Sequence, residues 1–208
     1  MAARRRIWRF GVVALFATVL LMPAWYWVSA DLAQPALSLA GWVMTQLFGW
    51  ATGFSTEGVI GQLLTSLSVL LPQPDGSNAL GFVAPRVDYR MHGYGMVFLW
   101  ALFLGSWPTR IWVKLPLATG VIFLVEVLTI CVAWLHQVLN LSEPAVFTQT
   151  GHSEWAREVV LFLFHFDLYV TTVFAPILVW AAFDRSLVSA LAPAQTRCGA
   201  AATDSSAR

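Results

Sequence analysis

Four apolar stretches dominate this 208-residue sequence, at residues 7–29, 91–107, 115–139 and 158–183. Crossing roughly 30 Å of hydrocarbon takes about 17 to 25 helical residues, so each qualifies as a membrane span on length, the second only just. Composition agrees. Only 11% of the residues are charged, against about 25% in an ordinary soluble domain. Eleven Trp and fourteen Phe fit a chain whose indoles sit where hydrocarbon meets headgroups. The formal net charge of +1 leaves no broad basic surface for nucleic acid. The expected fold is an all-α membrane protein of about four transmembrane helices.

A fifth uncharged stretch, 35–54, carries Ala36, Ala40, Val43, Leu47 and Ala51 on one stripe and Thr45, Gln46, Gly49 and Thr52 elsewhere. This pattern predicts a helix lying in the membrane interface. Arginine placement favours four spans over five. With both termini cytoplasmic, Arg4, Arg5, Arg6, Arg9, Arg110, Lys114, Arg185, Arg197 and Arg208 all fall inside, leaving Arg86, Arg90 and Arg157 outside. Val28-Ser29-Ala30 also fits a signal-cleavage site, but the apolar stretch before it is long for a signal and reads as a retained anchor. Residues 30–90 then lie outside the cytoplasm. Within them Gly58 and Gly61 oppose a helix, 65–69 partly alternates, and Pro74-Asp75-Gly76-Ser77 is turn chemistry, predicting a small β-hairpin. Residues 140–157 form an extracytoplasmic loop, and the small, polar 184–208 a disordered cytoplasmic tail.

Ionisable groups inside spans cost roughly 2.5–3.5 kcal/mol each on insertion scales, so each needs a reason. Glu126, Cys131 and His136 lie in the third span, His165 and Asp167 in the fourth. Counting about 1.5 Å per residue from the outer helix ends puts Cys131, His165 and Asp167 in one layer, Glu126 deeper, and His136 near the surface beside Arg157 and Glu158. His165 and Asp167 are about 200° apart on a straight helix and cannot share a target. Cys131 with His165 as base and an arginine as oxyanion stabiliser would suit thiol acyl transfer. The apolar context Thr129-Ile130-Cys131-Val132-Ala133 suits a packing residue better. His165 and Asp167 read as interhelical hydrogen-bonding groups, and Glu126 as a proton relay or a protonated carboxyl bonded to a neighbour. The two cysteines, Cys131 and Cys198, sit in unlike surroundings, and neither a disulfide, a metal-ligand spacing nor a cofactor motif emerges.

The entry to the second span reads RVDYRMHGYGMVFLWALFLG. Gly93 and Gly95 flank Tyr94 and allow a tight turn or a close backbone approach, while Tyr89 and Tyr94 suit the headgroup layer. Arg86, Asp88, Arg90 and His92 read as a solvated loop that meets headgroups or a partner. This element, preceded by WYWVSADLAQPALSLAGW, resembles the exosortase H-associated membrane proteins over about residues 7–140. The resemblance implies a bacterial inner-membrane accessory of a system that processes substrates bearing a C-terminal sorting signal. Its partners would be an exosortase-type enzyme, that substrate, and membrane lipid. Exosortases themselves use a cysteine with arginine and arginine or histidine partners. Here Cys131 lacks the expected small-residue context and no arginine lies in an apolar helix, so a non-catalytic role is expected. Docking is expected through Arg86, Asp88, Arg90, His92, Gly93, Tyr94 and Gly95, with Ala101 and Gly105 permitting helix approach. Two rivals remain: an intramembrane cysteine transpeptidase, and a proton-coupled transporter built on Glu126, His165 and Asp167, the latter weakened by the lack of paired repeats.

Overall fold

The computed structural model describes residues 2–72, 78–142, 144–167 and 171–184. The chain opens with a single helix, α1 (Ala2–Leu47). Five short strands follow: β1 (Ala51–Glu57), β2 (Ile60–Thr65), β3 (Ser68–Pro72), β4 (Asn78–Phe82) and β5 (Arg86–Asp88). A 3-10 turn at Tyr89–Met91 leads into α2 (Gly95–Ser106), then α3 (Ile111–His136), which ends in a π-helical turn at Gln137–Leu141. Helices α4 (Pro144–Thr150), α5 (Glu154–Phe166) and α6 (Thr172–Phe183) complete the described residues.

Residues 35–54 do not form a separate helix. Residues 35–47 continue α1 and 51–54 open β1. One buried stripe runs up α1 through Ala14, Ala17, Trp25, Ser29, Ala33, Leu37, Ala40 and Met44, spaced three or four residues apart except for two turns between Ala17 and Trp25, so a single helical period runs along it. Pro35 costs one backbone hydrogen bond but breaks nothing. What the sequence reads as an amphipathic element of its own is the upper half of a longer one.

The strands form a three-stranded antiparallel sheet, β1-β2-β5, and a two-stranded ribbon, β3-β4. The ribbon pairs Ser68 with Phe82, Leu70 with Leu80 and Pro72 with Asn78, so the expected hairpin is present, although its turn, 73–77, lies outside the described residues. Both sheets sit over one core. Leu37, Met44, Leu63, Tyr89, Trp134 and Val138 bury their side chains there. A second core gathers Met96, Leu99, Phe103, Ile122 and Trp180 from α2, α3 and α6.

Among the described residues two helices, over Ile7–Leu47 and Ile111–Asn140, are long and apolar enough to cross a membrane. One of the other two expected spans is shorter in the fold. Helix α2 starts at Gly95 because the turn at Tyr89–Met91 and two glycines precede it, and its 12 residues reach only about 18 Å. The stretch 158–183 resolves into α5 and α6, with residues 168–170 outside the described set. Residues 140–157 hold helix α4 as well as loop. The expected tail beyond 184 lies outside the described residues.

Candidate functional site

The ionisable residues meet where the sheet rests on the helices, and they meet in pairs the sequence does not suggest. Tyr89 is fully buried, not in a headgroup layer, and its hydroxyl donates to Glu126 Oε2 at 3.0 Å. The Met96 N–H, in the first turn of α2, lies against the same carboxyl, so the positive end of a helix dipole faces it. Burial pushes the Tyr89 phenol well above its ordinary value, with the nearby Glu126 charge and the hydrogen bond adding to the shift.

Two local features hold Tyr89 there. Asp88 caps the 3-10 turn by accepting from the Arg90 N–H at 2.9 Å, and the His92 and Gly93 N–H groups both donate to the Tyr89 carbonyl. Gly93 then lies flat on the phenol ring: a Cβ there would stand 2.5 Å from Tyr89 Cζ. Arg90 swings outward, its guanidinium 4.1 Å from the centre of the Tyr26 ring and its Nε donating to Ser29 Oγ at 3.3 Å. Such a cation–π contact contributes about 0.5–1 kcal/mol at a partly exposed site.

The second pair joins the same turn to the end of α5. His92 Nδ1 lies 3.6 Å from Asp167 Oδ2, both side chains buried. A small cavity of about 10 Å³, at the lower bound for one water, lies between His92, Glu126, Thr129 and Thr172. Glu126 Oε1 and Asp167 Oδ1 are buried without a hydrogen-bond partner. Among the described residues no three His, Cys, Asp or Glu side chains converge as metal ligands would.

The remaining candidates separate. Cys131, His165 and Asp167 each have a different partner. The Cys131 thiol is buried and points at the Ala40 carbonyl of α1, 3.7 Å away. His165 bonds the Leu161 carbonyl one turn back and lies edge-on to His136, ring centres 6.4 Å apart. His136 is buried among protein side chains and stacks flat on Phe164 at 3.9 Å. Arg157 instead reaches Glu154 and Asn140. The supposed solvated loop is also largely engaged: of Arg86, Asp88, Arg90 and His92, only Arg86 is exposed.

The small residues expected to receive a partner helix serve the fold itself. A Cβ on Gly105 would meet Ala14 Cβ at 3.0 Å, and one on Gly95 would touch Pro176 and Thr172 of α6. Ala101 is buried.

A family model described as exosortase H-associated membrane protein matches residues 4–187. This chain belongs to that family. The match extends well past the residues that carry the sequence resemblance, through α5 and α6. No curated protein and no solved structure matches the chain. In this exosortase H-associated protein two residues that sequence reasoning overlooks organise the sheets. Gln137 accepts from the Arg86 N–H at 3.0 Å and donates to the Arg86 carbonyl at 2.7 Å, standing in for a strand neighbour of β5. Gln149 does the same for Ser68 at the start of β3, both bonds 2.9 Å. A glutamine amide carries one donor side and one acceptor side, as a peptide does, but no spacing in the sequence marks these two.

Proposed function

We propose that the chain is a non-catalytic accessory of an exosortase-type sorting system, docking the sorting enzyme or its substrate helix. It would lie in a bacterial inner membrane, crossing it four times with both termini cytoplasmic and the sheets outside. Family membership over residues 4–187 carries this reading. The chemistry of the described residues supports it: the buried thiol faces a backbone carbonyl, and the acids and histidines are taken up in pairwise contacts between elements.

The docking surface is best sought on the β3-β4 ribbon and its neighbourhood. Leu70, Leu80 and Phe82 each leave about 60% of their surface exposed, and Leu70 and Leu80 are direct cross-strand partners. A two-stranded ribbon also leaves backbone groups unpaired along its edges, which favours a further strand or an apolar partner. Arg86 and Met91 are also exposed. Co-purification of the full chain with an exosortase from the same cell, in mild detergent and after in-membrane crosslinking, tests the reading. Association with the enzyme is the expected result; none under either condition overturns it.

A further inference from the structure

The end of the bundle away from the sheets holds a cavity of about 300 Å³ between the start of α1 and the end of α2. Its polar side is formed by Arg9 and Ser106, its apolar side by Phe10, Val13 and Leu104. Arg9 is exposed, and neither ion pair found among the described residues involves it. Ser106 Oγ accepts from Trp180 Nε1 at 3.1 Å, so its own hydrogen remains available to donate.

Helix α2 ends abruptly at this cavity. Trp107 turns left-handed, at φ 43°, and its N–H returns to the Phe103 carbonyl. The next residue is Pro108, which has no N–H for the Leu104 carbonyl. The carbonyls of 104–106 therefore end the helix as its negative pole. One small cavity thus presents a guanidinium and a free hydroxyl hydrogen together with a cluster of partial negative charge. A simple anion would be drawn to the first and repelled by the second, and a simple cation the reverse. A zwitterion carrying a phosphate and a primary ammonium satisfies both. Trp107 lines the cavity, and Trp8 and Trp112, near the starts of α1 and α3, are exposed as side chains at a headgroup boundary are.

We propose that this cavity binds a phosphatidylethanolamine-type headgroup, its phosphate on Arg9 and Ser106, its ammonium at the carbonyl end of α2, and its acyl chains along Phe10 and Val13. The inference is independent of the docking role. Native mass spectrometry of the full chain, released from detergent containing equal amounts of phosphatidylethanolamine, phosphatidylcholine and phosphatidylglycerol with matched acyl chains, tests it. The trimethylated headgroup has no N–H to donate, so ethanolamine lipid should be retained about tenfold over choline lipid, the scale of a lost charge-assisted hydrogen bond. It should also be retained over the glycerol lipid. Arg9→Gln should reduce that retention about tenfold, Arg157→Gln at the opposite end should not, and soluble glycerophosphoethanolamine should fail to compete. Equal retention of the ethanolamine and choline lipids, preference for the glycerol lipid, an unchanged R9Q variant, an equal loss in R157Q or full competition by the soluble headgroup would each overturn it. Should R9Q fail to fold, the lipid ratio on the unsubstituted protein decides alone.

Discussion

At position 93 the difference between a hydrogen atom and a methyl group decides whether Tyr89 can lie where it does. A Cβ 2.5 Å from the ring must push either the ring or the turn aside, and Glu126 then loses the Tyr89 hydroxyl. Gly93→Ala is expected to cost about 1–3 kcal/mol, the usual range for overpacking, and to lower the midpoint of thermal unfolding in detergent. Tyr89→Phe keeps the ring but strands the carboxyl, costing about 1–3 kcal/mol. The double variant Tyr89→Phe with Glu126→Leu should recover part of that loss, because removing both polar partners is gentler than removing one. The raised Tyr89 pKa has a direction in pH. The stability this phenol contributes is complete below its ordinary value of 10.0 and is lost as pH climbs above it, because only the unfolded chain ionises readily there. Tyr89 should therefore resist ionisation in a spectrophotometric titration until the protein unfolds. Cys131→Ala should leave substrate processing unchanged in cells; abolished processing by a folded C131A protein would revive a thiol mechanism.

Among the elements, the strands depend on side chains from distant helices. Gln149→Ala removes the three hydrogen bonds that tie Ser68, at the start of β3, to α4 and should speed amide exchange in β3 and β4 by about tenfold, leaving α3 unaffected. Element type is legible in the sequence only in part: apolar length marks the helices, and alternation with turn chemistry marks the β3-β4 hairpin, but nothing marks the β1-β2-β5 sheet, whose first strand begins inside the stretch read as an interfacial helix. Boundaries are not legible. Helix α1 runs through Pro35 because its buried stripe from Ala14 to Met44 keeps one period, and a local reading centred on 35–54 sees only the upper part of that stripe. Helix α2 is short because the Asp88 cap and the Gly93 packing fix a 3-10 turn ahead of it, and a hydropathy window cannot register a cap. The site was legible as an inventory but not as a pairing. Glu126, His136, His165 and Asp167 were all singled out, yet helical depth and angle gave no access to Tyr89 or His92 as partners, since those arrive from the segment that follows the sheet.

For the molecule as a whole, the two cores divide the labour. One carries the sheets and the upper parts of α1 and α3; the other binds α2, α3 and α6 within the apolar part. Between Trp8, Trp107 and Trp112 at one level and Tyr26 and Trp27 at another, α1 exposes Val12, Leu15, Phe16, Val19 and Leu20, as a lipid-facing belt would. In the proposed topology reporter fusions at the two termini give the same, cytoplasmic, signal, and opposite signals would remove the four-span arrangement. The central proposal is that the exposed ribbon meets a sorting enzyme, and site-specific photocrosslinking in living cells reads that contact most directly. A photoreactive residue in place of Leu70 or Leu80 should capture an exosortase, whereas one in place of Leu128 on the exposed face of α3 should capture lipid alone. Capture of the enzyme from Leu128 and from neither ribbon position would contradict it.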